Sequence, residues 1–315
     1  MSAVEQPMVS RDSLVSVAKG FCMGAADVVP GVSGGTMAFI LGVYARLLGA
    51  IRAFDLSLLG LLAKRDVARA ARHVDLPFLL PLGVGIVCAI VVFTKIIPLP
   101  SLIHTHPVPV FSLFFGLVAG SIVVLLKQVE RFRLAEFALL VLGAILGFTV
   151  VNLVPTDTPN ASWFIFLCGA VSICAMILPG VSGSFILLMM RKYAYVLDAI
   201  GRFDLTVLIP FALGAACGLA LFTRFLLWLI NRFRTGTLVT ITGLLLGSLW
   251  LIWPFQERNY EMVHGKSRLI SSTPISPFSA GDALPGAIGV MLLGLAGVFL
   301  IEYFARHRGS DDATV

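Results

Sequence analysis

The chain has 315 residues, of which 58% are hydrophobic and 13% are charged, and its formal net charge is +6. A soluble domain of this length could not bury so much apolar surface, so the composition excludes an ordinary water-soluble fold and predicts an integral membrane protein. The excess of basic residues indicates positively charged cytoplasmic loops, since no motif of interleaved basic and aromatic residues favours nucleic acid. The five cysteines lack CxxC spacing, so we expect no disulfide frame, no metal site and no cofactor.

In chain order, the first predicted element is a helical hairpin at 13–52, broken by the stretch DVVPGVSGGT. A second broken hairpin is predicted at 161–202. Three membrane spans follow each hairpin, and each span is close to the roughly 20 apolar residues that a crossing helix needs. The spans are 77–97, 107–126 and 134–153 after the first hairpin, and 205–230, 236–255 and 283–304 after the second. The N-terminus shows no signal-peptide cleavage pattern, so we expect the first segment to be retained.

The motif PGVSG occurs twice, at 30–34 and at 179–183, and the similarity continues around both copies. Tyr44 corresponds to Tyr193, and the later segment FGLVAGS corresponds to TGLLLGS. The chain therefore divides into a first repeat, 1–153, and a second repeat, 154–315, which we expect to form a single membrane domain.

The positions of lysine and arginine predict how the repeats are oriented. Basic residues cluster at 64–72, 127–133 and 231–234 and in the C-terminal tail, whereas the connections at 98–106 and 154–162 have none. All the basic segments lie on the cytoplasmic side only if each PGVSG unit enters and leaves the membrane at one face and three crossings follow it. The prediction is an all-α polytopic membrane protein with two inverted-topology repeats, each a re-entrant broken helical hairpin followed by three transmembrane helices, with both termini cytoplasmic. Alternatively, each motif interrupts a full crossing, which gives eight spans and parallel repeats.

The two broken turns form the candidate site. Irregular backbone at membrane depth needs polar partners, because each unpaired amide in lipid costs several kcal/mol. A proline ends the preceding helix, and the free amides that begin the next helix favour an anion such as phosphate. The predicted phosphate-binding residues are Ser33, Gly34, Gly35, Thr36, Ser182, Gly183 and Ser184. Alternatively, the serines only cap helices and the glycines only permit close packing.

Charged side chains near the turns are candidate partners of the bound anion: Asp27, Arg46, Arg191 and Lys192. Asp27 fits either a carboxylate that couples transport to a proton or sodium ion, or a charge that stabilises the start of a helix. Arginine can neutralise phosphate with a planar fork of donors. The alternative for the basic residues is a position at the membrane interface.

The stretches ADVVPGVSGGTMAFILGVY, AMILPGVSGSFILL and GLLLGSLWLIWP resemble the signature segments of the bacterial polyprenyl-phosphate transporter family. The resemblance covers nearly the whole chain. It implies a multi-pass protein of the bacterial inner membrane, a flippase that returns undecaprenyl phosphate, the lipid carrier of cell-wall synthesis, from the outer to the cytoplasmic leaflet. The segment MMRKY departs from the family pattern, because Arg191 and Lys192 stand where the family is expected to have a small residue.

Two other classes of function are alternatives, and the sequence alone separates the first of them poorly from a lipid transporter. A channel or carrier for a small inorganic anion would use the same turns without an opening to lipid. A lipid phosphatase would need clustered histidine, aspartate and arginine, and the sequence offers no such set, so we expect no enzyme. The expected partners are undecaprenyl phosphate or a related polyprenyl phosphate and the surrounding membrane lipid.

Overall fold

The computed structural model describes residues 11–28, 33–97, 99–129, 131–153, 155–263, 266–280 and 283–311. Pro30, Gly31 and Val32 of the first PGVSG motif lie outside the described residues. The first half contains α1 (Arg11–Asp27), α2 (Gly34–Ile40), α3 (Tyr44–Arg52), α4 (Leu56–Ala63), α5 (Val67–His73), α6 (Leu76–Val91), α7 (Leu99–Thr105), α8 (Pro107–Lys127) and α9 (Leu134–Val151). The second half contains α10 (Ser162–Ile177), α11 (Gly183–Met189), α12 (Tyr193–Arg202), α13 (Leu205–Arg232), α14 (Arg234–Ser248) and α15 (Ala283–Asp311).

Several of these helices are long and apolar enough to cross a membrane. In the described part of the chain they are α6 with the π-helical turn that follows it (Leu76–Ile96), α8, α9 and α13. Helices α2 and α3 together are a further candidate, bent by 117° at their junction. Helix α10 and the apolar part of α15, Leu284–Leu300, are shorter. The prediction of a mainly helical, polytopic membrane protein is confirmed at this level.

Helix α1 packs along α6 through glycines that allow their backbones to touch. A Cβ on Gly20 would collide with the carbonyl of Leu82, and a Cβ on Gly24 would lie 2.5 Å from the carbonyl oxygen of Ile86. Gly20 and Gly24 therefore face Leu82 and Ile86 in the same order along both helices, so α1 and α6 run parallel. Small residues at such contacts are typical of helix packing in membranes.

Helix α10 packs along α13 in the same way. A Cβ on Gly214 would collide with the Phe166 carbonyl, and a Cβ on Gly218 would lie 2.6 Å from the Ala170 carbonyl oxygen. These helices are also parallel. The corresponding pairs of the two halves thus share one mode of packing.

The remaining long helices pair across the halves, α8 with α15 and α9 with α14. Glycines again face the backbone of the partner helix, and both pairs are parallel by the same reasoning. The facing residues are Gly116 with Met291 and Gly120 with Leu295 in the first pair, and Gly143 with Thr240 and Gly147 with Leu244 in the second. A hydrophobic core that includes Leu48, Phe78 and Leu245 joins the two halves.

The connection between α14 and α15 adds a short β-hairpin to the otherwise helical fold. Strands β1 (Gln256–Val263) and β2 (Lys266–Pro274) form an antiparallel hairpin, with an irregular register between Asn259 and Tyr260. The stretch mixes charged residues with hydroxyl and β-branched residues, which fit a strand better than an apolar helix.

Helix α14 ends at Ser248, seven residues before the end of the predicted span 236–255. Pro254 disfavours a helical continuation through the residue before it. The chain instead turns, and the Gln256 side-chain amide donates a hydrogen bond to the Trp250 carbonyl at 2.6 Å.

Candidate functional site

The first PGVSG motif leads into α2 through a capped start. Ser33 has extended backbone angles, and its hydroxyl accepts a hydrogen bond from the Gly35 amide at 3.2 Å. The Gly34 amide donates to Asp27 Oδ1 at 2.7 Å. The chain's own carboxylate therefore holds one of the amides that an anion would be expected to bind, as a negative charge at a helix start does.

The second motif turns sharply before α11. Gly180 has φ +87°, and a Cβ there would lie 3.0 Å from Ser248 Oγ on α14, so both its conformation and its close approach require glycine. Ser182 precedes α11, and its hydroxyl lies 2.9 Å from the exposed hydroxyl of Ser184. The buried Ser172 hydroxyl donates to the Gly183 carbonyl at 2.9 Å.

The structure brings the second motif into direct contact with α2, the helix that follows the first motif. The Gly180 amide donates a hydrogen bond to Thr36 Oγ1 at 2.9 Å, and Thr36 is 2% exposed. The hydroxyl of Tyr44 donates to the Ile177 carbonyl at 3.0 Å. A Cβ on Gly35 would lie 2.9 Å from that same carbonyl oxygen. The start of α2 in one half therefore packs against the end of α10 and the turn that follows it in the other half.

The two arginine candidates form ion pairs with residues outside the motifs. Arg46 forms a two-point ion pair with Asp75, at 2.6 and 3.0 Å. Arg191 pairs with Asp157 at 2.8 Å, and both side chains are exposed. Of the predicted charge partners, the hydrogen bonds of the described residues place Asp27 alone at the start of a motif helix.

Lys192 is buried, at 4% exposure, and it is held by the segment that joins the two halves. Its ammonium donates to the Thr158 carbonyl at 2.7 Å and to Asn160 Oδ1 at 2.8 Å. The Thr158 hydroxyl donates to the Met190 carbonyl at 2.6 Å. These bonds fix the junction of α11 and α12 to the linker, which accounts for a lysine at a buried position.

Sequence reasoning missed three contributors to the contact between the motifs. The sequence marked Tyr44 only as the counterpart of Tyr193, yet its hydroxyl donates a hydrogen bond to the Ile177 carbonyl of α10. Ser172 and Ser248 were not singled out, although both lie beside the second turn. The repeat match of TGLLLGS with FGLVAGS was the available signal for Ser248.

Residues 23–270 match the family described as undecaprenyl phosphate translocase-like. The chain belongs to this family. A polyprenyl-phosphate transporter of Vibrio cholerae serotype O1 is 44% identical over 296 residues, which cover 91% of this chain and 96% of that protein. A polyprenyl-phosphate transporter of Staphylococcus aureus is 28% identical over 267 residues, which cover 79% and 89%. No solved structure matches the chain significantly. The family resemblance expected from the motifs is confirmed, and membership indicates a transporter and not an enzyme.

Proposed function

We propose that this protein is a flippase that returns undecaprenyl phosphate from the outer to the cytoplasmic leaflet of the bacterial inner membrane. The observation that carries the proposal is the contact of Gly180, in the second PGVSG motif, with Thr36, two residues after the first motif. It joins the start of α2 to the turn that leads into α11, and we propose that amides and hydroxyls of both segments surround a single anionic head there. The names of the two relatives supply the class of lipid.

The parallel pairs support the re-entrant form of both hairpins. Helix α1 runs parallel to α6, and α10 runs parallel to α13. The chain between the members of each pair must then return to the face at which it entered. A motif that interrupted a full crossing would instead make the second helix of each pair antiparallel to the first.

The pairs formed across the halves support the inverted arrangement. Helix α14 runs parallel to α9. The chain between them must therefore cross the membrane in the opposite direction. Helix α13 makes this crossing, so the broken hairpin of α10 to α12 adds none. Three crossings then separate the start of α6 from the start of α13, and the two helices point in opposite directions. The backbone contacts also correspond between the halves. Gly116 on α8 faces Met291 on α15, and its counterpart Gly243 on α14 faces Leu140 on α9. In the same way, Gly294 on α15 faces Leu113 on α8, and Gly143 on α9 faces Thr240 on α14.

In the proposed mechanism, the phosphate head competes with Asp27 for the Gly34 amide. Two negative charges about 4 Å apart repel by about 4 kcal/mol at the effective dielectric constant near a protein surface. Asp27 must therefore withdraw or take up a proton when the head binds, which links the site to a coupling proton. The hydroxyls of Ser33, Thr36 and Ser182 then lie next to the amides that the phosphate oxygens accept from.

Purified protein in liposomes tests the proposal through leaflet-resolved movement of undecaprenyl phosphate. Replacement of both motif serines, Ser33→Ala with Ser182→Ala, is expected to weaken head-group binding and slow translocation. Ser57 and Ser162 are exposed serines outside both motifs, so their double alanine variant is the matched control.

Equal affinity and rate in the two double variants would argue against a head-group site at the motifs. If the protein in liposomes transports inorganic phosphate or chloride but never the lipid, it is a small-anion carrier and the proposal is wrong.

A further inference from the structure

A pocket of about 490 Å³ lies where α9 and α14 begin. Arg131 and Arg133 contribute from the connection between α8 and α9, and Arg234 contributes from the start of α14. All three arginines are exposed, and none forms an ion pair with another residue in the described part of the chain. Glu136, the acidic residue that lines the pocket, accepts a hydrogen bond from the Arg133 backbone amide at 3.0 Å. The pocket is therefore an open concavity with an excess of guanidinium groups.

A second concavity, of about 740 Å³, follows farther along the same two helices and is almost entirely apolar. Phe137 and Phe148 line it from α9, and Leu246 lines it from α14. Trp250 packs edge-on against Phe148, with ring centroids 5.6 Å apart. A shaped groove with aromatic walls differs from the convex apolar surface that ordinary lipid-facing helices present.

The two concavities are parts of one track. Glu136, Leu140, Ala144 and Phe148 follow one another at four-residue spacing along one face of α9; the first lines the arginine pocket and the other three line the groove. Because α9 and α14 run parallel, the arginine end of the track is formed by the N-terminal ends of both helices. The basic residues place that end at the cytoplasmic face by the positive-inside rule.

We propose that this α9–α14 track binds a polyprenyl phosphate at the cytoplasmic leaflet, with the phosphate among the three arginines and the isoprenoid chain in the aromatic groove. The inference rests on the proposed function and adds a docking site separate from the PGVSG motifs. Guanidinium groups bind phosphate oxygens in a planar, two-point geometry.

The charge of the track favours a lipid phosphate monoester over an ordinary phospholipid. A phosphate monoester carries about −1.5 to −2 charges at neutral pH, whereas the phosphodiester of a phospholipid carries one. Three arginines therefore match the monoester better. The single groove also fits a lipid with one chain. An inorganic anion has no apolar chain that could occupy the groove.

The test is photolabelling of the full chain in liposomes with a polyprenyl phosphate that carries a diazirine on its isoprenoid chain, followed by mapping of the labelled residues. We expect labels on 137–148 and 246–253. The combined change Arg131→Gln, Arg133→Gln and Arg234→Gln should lower labelling at least about tenfold, since loss of even one hydrogen bond to a charged group weakens binding by about that factor. The matched control removes three exposed arginines from the segment that includes α5, through Arg65→Gln, Arg69→Gln and Arg72→Gln.

A second variant keeps the arginines and fills the groove. Ile145→Trp adds bulk to an exposed position in the groove wall and should lower chain labelling while the arginine pocket stays intact. Labels outside the track, equal labelling of the arginine and control variants, or displacement by phosphatidylglycerol as effective as by unlabelled polyprenyl phosphate would each overturn the inference.

Translocation by the wild type is measured separately, so the two proposals fail in different ways. If the lipid is translocated but the labels lie elsewhere, only the proposed track is refuted. If the track is labelled but the lipid is not translocated, only the proposed flippase function is refuted.

Discussion

The hydrogen bond between α2 and the second motif yields the sharpest prediction, through the isosteric change Thr36→Val. Thr36 Oγ1 accepts from the Gly180 amide at 2.9 Å in a buried position, and valine has the same shape without the oxygen. The Gly180 amide would lose its acceptor where water cannot replace it. A buried donor left without a partner costs about 1–3 kcal/mol, so we expect the folded state to lose stability by that amount.

Thr36→Ser is the matched control, because it keeps the acceptor and removes only a methyl group. The assay is unfolding of the purified protein in detergent by a chemical denaturant, together with the rate of lipid translocation in liposomes. Valine should lower both stability and rate more than serine does. A loss in the serine variant with no loss in the valine variant would mean that packing of the methyl group, and not the hydrogen bond to Gly180, holds the halves together.

Three further predictions concern single backbone or charge features. Gly294→Ala should destabilise the protein by about 1–3 kcal/mol because its Cβ would collide with α8, whereas Gly297→Ala, with open space around it, should be neutral or stabilising in the same unfolding assay. Gly42→Ala should cost about 1 kcal/mol because φ there is +69°, and Arg191→Gly, at φ +52° at the corresponding bend, should stabilise the protein despite the loss of an exposed ion pair. Asp27→Asn should tighten head-group binding by at least about tenfold and make translocation insensitive to a pH gradient, because the repulsion and the titrating group are both removed. Unchanged affinity would contradict the competition for the α2 amide.

Features set by local sequence were predictable. The first broken hairpin is predicted at 13–52 and α1 to α3 occupy Arg11–Arg52; the second is predicted at 161–202 and α10 to α12 occupy Ser162–Arg202. The length of an apolar run and the presence of proline and glycine determine such bounds within a few residues of the chain. The repeat then indicated which glycines and hydroxyls belong together, without showing how they touch.

Contacts between distant segments were not predictable in this way. Thr36 and Gly180 are 144 residues apart, and no periodicity relates a hydroxyl in one half to an amide in the other. The pairing of Arg46 with Asp75 likewise depends on how α3 lies beside the start of α6. A charged side chain near a motif in sequence can pair with a residue outside it, as Arg46 does with Asp75 and Arg191 does with Asp157.

The two hairpins are not equivalent in this conformation, and the difference bears on how the protein changes state. Asp27 holds the start of α2, but its counterpart in the second half is Met176, which cannot hold α11 in the same way. Lys192 ties the junction of α11 and α12 to the linker, but its counterpart Val43 is a buried apolar residue. In the proposed inverted arrangement, transport exchanges the conformations of the two halves. That exchange must release Asp27 from the Gly34 amide, and a phosphate that binds the freed amide stabilises the exchanged state relative to this one.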